Sequence, residues 1–215
     1  MVGRPGSAQR CALLGTRHVS RVAVVIDLEY AWNAGRRTFL ADDGGARTAH
    51  TVLSAPLIAE ALAEREAPGP QDRRQIRTLA GVHVVVPTYN MQRHPLLASV
   101  VGRWRSDRRV QIHVAPQLPI PALHTARAVL ITMVVTNVLT TNQCDVAILM
   151  AGDLGLAPLV RSWAEGQGQA NRVELVAWST GEGPVRNPLA EHQSHVWCHR
   201  LGHDDFQRFI VKRPT

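Results

Sequence analysis

Lysine is almost missing from this chain of 215 residues. Lys212 is the only lysine, so arginine carries nearly all of the positive charge behind a formal net charge of +7. An excess of positive charge attracts polyanions at long range, which favours a nucleic acid as the partner. A basic surface without any partner fits the same composition and stays open as an alternative.

Cysteine and aromatic residues are also scarce. The three cysteines, Cys11, Cys144 and Cys198, are odd in number and far apart, which excludes a disulfide framework and favours a cytoplasmic location. Aromatic residues make up 5% and hydrophobic residues 45%, so we expect a folded domain with an aliphatic core. No apolar run reaches the ~20 residues of a membrane span, and no membrane partner is expected.

Short β-branched runs alternate with segments of helical length. The runs predict strands at residues 21–27, 82–86, 110–114, 145–150 and 172–178. The intervening segments predict helices at about residues 52–65, 72–79, 95–105, 122–141 and 157–165. This alternation indicates an α/β fold, a three-layer sandwich with a mostly parallel central sheet of about five strands.

The domain boundaries follow from where this alternation starts and stops. Residues 1–19 hold several arginines and predict a flexible basic N-terminal arm. Residues 20–180 hold the strands and helices of the domain. Residues 181–215 are polar and His-rich, and we expect them to form a C-terminal extension that packs on the domain.

Two acidic residues follow strands of the predicted sheet. Asp27 closes the first strand and Asp153 comes shortly after the fourth. Parallel sheets bind ligands at the carboxyl ends of their strands, and converging carboxylates suit a hard cation such as Mg²⁺ or Mn²⁺. The alternative is that each aspartate only caps the helix that follows it.

Two segments of the chain carry a resemblance to a known family. In residues 21–29 an apolar strand ends in Asp27, and in residues 145–178 a strand leads into Gly152 and Asp153, a Pro-Leu-Val helix and a returning strand. This order resembles NYN domains, which belong to the PIN-like nucleases. The resemblance implies a metal-dependent ribonuclease that hydrolyses RNA phosphodiester bonds. It implies that Asp27 and Asp153 hold Mg²⁺ or Mn²⁺, with Glu29 and Asn137 assisting.

The chain departs from the family pattern at three positions. Gly155 stands where the family has a second aspartate, Tyr30 where it has an asparagine, and Asn137 where it has a central acid. A second interpretation is therefore a catalytically degenerate module that binds RNA or a protein partner through the same cleft. Acids that would favour catalysis by folding into this cleft are Asp42, Asp43 and Asp145.

A third interpretation, a small-molecule α/β enzyme, is disfavoured because no glycine-rich phosphate-binding pattern follows any strand. The sequence leaves room for a homo-oligomer or a protein partner.

Arginines cluster around Trp104 just before the third strand. They are Arg103, Arg105, Arg108 and Arg109. Arginine binds phosphate and tryptophan can stack on a base, so we predict that these arginines bind the backbone of RNA, more readily single-stranded RNA. A solvated helix face with Trp104 packed inward is the alternative. A second basic group comprises Arg73, Arg74 and Arg77.

The C-terminal segment contains closely spaced imidazoles and one thiol. They belong to His192, His195, Cys198, His199 and His203. Such groups can bind Zn²⁺, but the spacing matches no standard zinc finger. A solvated His-rich surface is the alternative.

Overall fold

The computed structural model describes residues 19–40, 51–65, 76–116, 118–164, 172–181, 187–193 and 195–212. The basic arm predicted at residues 1–19 lies outside the described residues except for Val19. Asp42, Asp43, Arg73 and Arg74 also lie outside them.

Strands and helices alternate through the described residues. The strands are β1 (Val19–Asp27), β2 (Thr51–Leu53), β3 (Ile76–Pro87), β4 (Val110–Ala115), β5 (Val146–Met150), β6 (Arg172–Trp178), β7 (Cys198–Leu201) and β8 (Ile210–Lys212). The helices are α1 (Leu28–Phe39), α2 (Ala55–Glu64), α3 (Thr88–Arg93), α4 (Pro95–Trp104), α5 (Ile120–Thr140), α6 (Ala157–Ala164), α7 (Pro188–His192) and α8 (His203–Phe209).

Six strands form one parallel sheet in the order β4-β3-β1-β5-β6-β7. Along the chain, β3 and β4 are added on one side of β1, and β5, β6 and β7 are then added on its other side. The strand order therefore reverses between β1 and β5, which makes this pair the topological switch point of the sheet. The α/β class and the mostly parallel sheet predicted from the sequence are confirmed. The small antiparallel pair β2-β8 lies apart from this sheet.

Hydrophobic residues cover both faces of the sheet. Residues of α1, α2, α4 and α8 pack on one face, and residues of α5, α6 and α7 pack on the other. The central strand β1 is buried from Val22 to Ile26, with 2% or less of each residue exposed. A strand buried on both faces needs a continuous apolar run, which explains why β1 was recognisable in the sequence.

Two segments differ from the sequence prediction. The helix predicted at residues 72–79 is wrong, because residues 76–79 are the first part of β3. Arg77 belongs to this strand and its buried side chain pairs with Glu174, so it is not part of a solvated basic helix. Helix α1 occupies residues where no helix was predicted. It contains Gly35, a poor helix former, because Phe206 lies 2.5 Å from where a Cβ at that position would be.

The C-terminal segment is part of the domain, not an extension packed on it. Strand β7 is the sixth strand of the sheet, and β8 pairs with β2. Phe206 and Phe209 of α8 are completely buried beside Trp178. The domain predicted to end at residue 180 therefore continues through the described residues up to Lys212.

Helix α5 has the length and composition of a membrane span. Its segment Ala122–Thr140 has 19 residues and a mean hydropathy of 1.5, although the sequence analysis expected no such run. One side of the helix lies on the sheet, and 39% of the apolar window is buried. Helices that pack on the core of a folded domain have the same composition.

Candidate functional site

The two acids singled out in the sequence lie at the same edge of the sheet. Asp27 is the last residue of β1, and Ile26 pairs with Met150, the last residue of β5. Asp153 follows three residues later. Asp27 at the end of β1 and Asp153 in the turn after β5 thus both lie at the carboxyl edge, at the switch point where open α/β sheets bind their ligands.

Asp27 is almost completely buried, with 1% of the residue exposed. Its Oδ1 accepts a hydrogen bond of 3.1 Å from the backbone N–H of Tyr30 and so caps α1. Its Oδ2 lies 3.2 Å from Nη2 of Arg127. Burial raises the pKa of Asp27 to about 6, and the positive charge of Arg127 offsets part of that effect.

Arg127 fills the space beside the acids. It comes from α5, its side chain is 7% exposed, and its Nη1 donates a hydrogen bond to Glu29 Oε2 while Nη2 contacts Asp27. The guanidinium therefore bridges two of the carboxylates predicted to serve a metal ion. The sequence analysis missed this residue, although a single arginine in an otherwise uncharged helix was a visible signal.

Asp153 has a local role in the turn after β5. Its Oδ1 accepts a hydrogen bond of 2.8 Å from the N–H of Gly155 and caps the short 3₁₀ turn Leu154–Leu156. The side chain is partly exposed. It lines a cavity of about 340 Å³ together with His124 and Thr125 of α5.

The acids and their neighbours do not fit the metal ion that the family resemblance implies. Asp27 and Glu29 are both engaged by Arg127. Within the part of the chain that the structure describes, no three His, Cys, Asp or Glu side chains are grouped so as to hold a metal ion.

Two further sequence candidates lie away from the acids. Asn137 is ten residues along α5 from Arg127, about 15 Å further at the rise of an α-helix, and the helix runs toward the opposite edge of the sheet. Asp145 precedes β5 at the amino edge, where its Oδ2 accepts a 2.7 Å hydrogen bond from the N–H of Arg21. The prediction that Asn137 assists the acid pair is wrong, because α5 runs antiparallel to the strands.

The predicted RNA-binding arginines also lie at the amino edge. Helix α4 ends at Trp104 and β4 begins at Val110, so the loop between them is at the opposite end of the sheet from Asp27. The four exposed arginines of this region are Arg103, Arg105, Arg108 and Arg109. Arg109 pairs with Asp107 at 2.8 Å and with Glu60 at 3.2 Å. Trp104 is buried, so the alternative in which it packs inward is correct. A short stretch of RNA that lies at Asp27 and Asp153 would therefore not reach these arginines.

A cleft of about 370 Å³ opens at the carboxyl edge beside Glu29, and we call it the α1 cleft. One wall is a face of α1 and the other is formed by β2, the end of β3 and the turn between α3 and α4. The polar lining residues are Glu29, Asn33, Arg36, Thr51, Asn90 and His94, and the aromatic one is Trp32. The positions on α1 recur at the spacing of one helix face.

A buried ionic cluster lies elsewhere on the sheet and explains the histidine of β7. Glu174 of β6 binds Arg77, Arg172 and His199, with His199 Nε2 2.7 Å from Glu174 Oε2. Burial alone would raise the pKa of Glu174, but these partners hold it down to about 2. His199 is thus committed to Glu174, and the described part of the C-terminal segment forms no zinc cluster.

Asn187 holds together the ends of the two strands that lead to Asp153 and to the C-terminal segment. Its side-chain N–H groups donate to the carbonyl oxygens of Ala151 at 3.0 Å and Val176 at 2.9 Å. Its Oδ1 accepts from the N–H groups of Leu189 and Ala190. It is completely buried, and the sequence analysis did not identify it.

Fold and site together define a doubly wound α/β domain whose switch point carries an acid–arginine bridge. The chain matches no protein-family profile, and no curated protein matches its sequence. Among solved structures it is similar to a protein of unknown function from Vibrio parahaemolyticus. That similarity has 12% identity and a TM-score of 0.49, and it covers 91% of this chain and 99% of the other.

Proposed function

We propose that this domain is an NYN/PIN-like module that binds single-stranded RNA at the carboxyl edge of its sheet without cleaving it. The observation that carries the proposal is the bridge from Arg127 to Asp27 and Glu29. The bridge neutralises the acids that a related nuclease would use for a metal ion.

Removing either partner of the bridge would be costly. Asp27 and Arg127 are both buried, and removing the partner of a buried charge typically costs about 3–5 kcal/mol. A divalent cation bound to Asp27 would lie close to the positive guanidinium of Arg127, which repels it. Asp27 and Glu29 therefore have a structural role, since their contacts with Arg127 hold α5 against α1.

Binding of RNA is supported by charge and by shape. The formal net charge of +7 favours a polyanion. The α1 cleft at the carboxyl edge presents Trp32, on which a base can stack, and the exposed cation Arg36. These features are found in proteins that bind single strands by stacking and backbone contacts.

A second candidate function is a divalent-metal-dependent endoribonuclease, a hydrolase. It is favoured by one observation, the placement of Asp27 and Asp153 at the ends of neighbouring parallel strands. It requires that Arg127 leave Asp27 when Mg²⁺ or Mn²⁺ and RNA are present.

The two candidates are separated by incubating labelled single-stranded RNA with the protein, with Mn²⁺, Mg²⁺ or a chelator. We expect binding that weakens steeply as salt rises, that is unchanged by the chelator, and that leaves the RNA intact. Metal-dependent cleavage that is lost in Asp153→Asn would establish the nuclease instead, because Asn still caps the turn but lacks the charge. Absence of binding at low salt would refute the RNA-binding proposal.

A further inference from the structure

We propose that the α1 cleft is a binding site for one nucleotide unit, a nucleobase with its adjoining phosphate. The inference deepens the proposed function, since the base would come from single-stranded RNA. A free mononucleotide has the same chemistry, and the experiment below separates the two sources.

The cleft has a rigid aromatic surface. Trp32 lines it and is only partly exposed, and its ring packs on Phe206 with centroids 6.1 Å apart and planes 22° from parallel. Because Phe206 is completely buried, the indole is held in place by the core. Leu28, Leu53 and other aliphatic residues complete the wall. A fixed indole beside aliphatic walls suits a flat heteroaromatic ring.

Two unused amides point to a base rather than to an aliphatic ligand. Asn33 on α1 and Asn90 on α3 both line the cleft and are partly buried. Neither side chain makes a hydrogen bond to any of the described residues. Each amide offers a donor and an acceptor, as the edge of a nucleobase does.

The charges of the cleft fix which way the nucleotide lies. Arg36 and His94 line the cleft and are exposed, and their side chains have no hydrogen bond to the described residues. Glu29 also lines the cleft but is tied to Arg127 at the switch point. The charge of Glu29 is thereby neutralised, whereas the exposed guanidinium of Arg36 attracts a phosphate, so the phosphate lies at the Arg36 side.

The size of the cleft limits the ligand to about one nucleotide. A volume of about 370 Å³ is near the lower end of the range for small-molecule sites, which is ~300–1,000 Å³. A base with its ribose fits this space, whereas a folded RNA element does not. The site therefore takes a base splayed out from an unpaired strand, or a free nucleotide.

The test measures the dissociation constants of nucleoside monophosphates and of a short single-stranded RNA for wild type, Arg36→Ala, Asn90→Ala and Arg105→Ala. Arg36 and Arg105 are both exposed arginines, and Arg105 lies at the amino edge, so it controls for loss of charge. We expect Arg36→Ala and Asn90→Ala each to weaken binding of monophosphates about tenfold, in line with a lost polar contact to a charged or buried group. Arg105→Ala should bind monophosphates like wild type.

Trp32 supplies a separate readout of the same complex. Stacking of a base on Trp32 should quench indole fluorescence, and Trp32→Phe should reduce the quenching while leaving the packing on Phe206 largely intact.

The outcomes distinguish a failure of the nucleotide-site proposal from a failure of the RNA-binding proposal. If RNA binds and both Arg36→Ala and Asn90→Ala bind RNA and monophosphates like wild type, the cleft is not the nucleotide site, although the domain still binds RNA. If monophosphates bind in an Arg36-dependent way and RNA does not, the cleft is confirmed and the RNA-binding function is wrong. If neither ligand binds wild type, both proposals are overturned.

Discussion

Tyr30 connects the two acids of the carboxyl edge. Its backbone N–H donates to Asp27, and its ring lies against Gly152, the residue before Asp153. Burial raises the pKa of Tyr30 above its usual range, so the ring stays uncharged in its packed position. A Cβ at residue 152 would lie 2.1 Å from Cε2 of this ring, which is closer than any real contact.

Gly152→Ala should therefore destabilise the domain by about 1–3 kcal/mol, the usual cost of forcing extra atoms into a packed site. Denaturant unfolding measures the loss. The matched control is Gly102→Ala, because nothing lies within 4 Å of a Cβ at that exposed position of α4. The control should stabilise by up to ~1 kcal/mol through helix propensity. Equal effects of the two substitutions would contradict the contact with Tyr30.

The site residues that were predicted share one property, which is that their signal is local. Asp27, Glu29 and Asp153 each follow a recognisable apolar strand, so their edge of the sheet could be inferred. Arg127 could not be placed, because its partner Glu29 is 98 residues away and only the packing of α5 brings them together. The prediction for Asn137 is wrong for a related reason, since the order of residues in a family motif does not fix at which end of α5 a residue lies.

Strands β5 and β6 are joined at their carboxyl ends by one side chain from the start of α7. Asn187 satisfies the carbonyl of Ala151 after β5 and that of Val176 within β6, and it caps α7 with the same amide. Backbone carbonyls at the end of a sheet lack strand partners, and buried ones need some other donor. Asn187 thus fixes the turn from which Asp153 projects.

Asn187→Ala should cost about 3 kcal/mol or more, because it removes a helix cap and leaves two buried carbonyls without a donor. The free energy of unfolding measures this loss. Asn33→Ala is the comparison, since that side chain makes no hydrogen bond to the described residues and should change stability little. A loss below ~1 kcal/mol in Asn187→Ala would show that water replaces the amide at these carbonyls.

Among the secondary-structure elements, the apolar strands are predictable from the sequence. Elements whose formation depends on contacts with distant parts of the chain are not. The predicted segment 172–178 coincides with β6 (Arg172–Trp178), because its run of apolar residues is interrupted only by Glu174. The first half of β3 alternates between exposed and partly exposed residues and contains the charged Arg77, so its sequence resembles a helix. Helix α1 was missed because the close approach of Phe206 to Gly35 is a contact with a distant part of the chain.

Two buried groups of opposite type titrate in the same pH range. Burial raises the pKa of Asp27 from 3.8 to about 6. Burial, together with the neighbouring His113, lowers the pKa of His83 from 6.5 to about 4. As pH falls below about 6, the folded state gains stability from protonation of Asp27. Over the same range it loses stability because the buried His83 resists protonation. Each effect approaches about 3 kcal/mol at its full extent, so the two nearly cancel.

The wild-type free energy of unfolding should therefore change little between about pH 7 and pH 5. In His83→Gln the stability should rise as the pH falls, because the titration of Asp27 then outweighs that of His113, whose pKa burial also lowers. In Asp27→Asn, which keeps the cap on α1, the stability should decrease as the pH falls. Denaturant unfolding at several pH values measures all three slopes. If the free energy of unfolding changed with pH in the same direction in both variants, the opposing titrations of Asp27 and His83 would be contradicted.

The parallel sheet also determines when the protein can fold during its synthesis. At the start of β1 and β5, the contact between Arg21 and Asp145 joins residues that are 124 positions apart. At a translation rate of roughly 5–20 residues per second, β1 is made about 6–25 seconds before its partner β5. The five apolar residues at the centre of β1 lack this neighbour for all of that time. Until β5 emerges, the nascent chain can pair β1 only on its β3 side, and the edge that β5 later covers stays open.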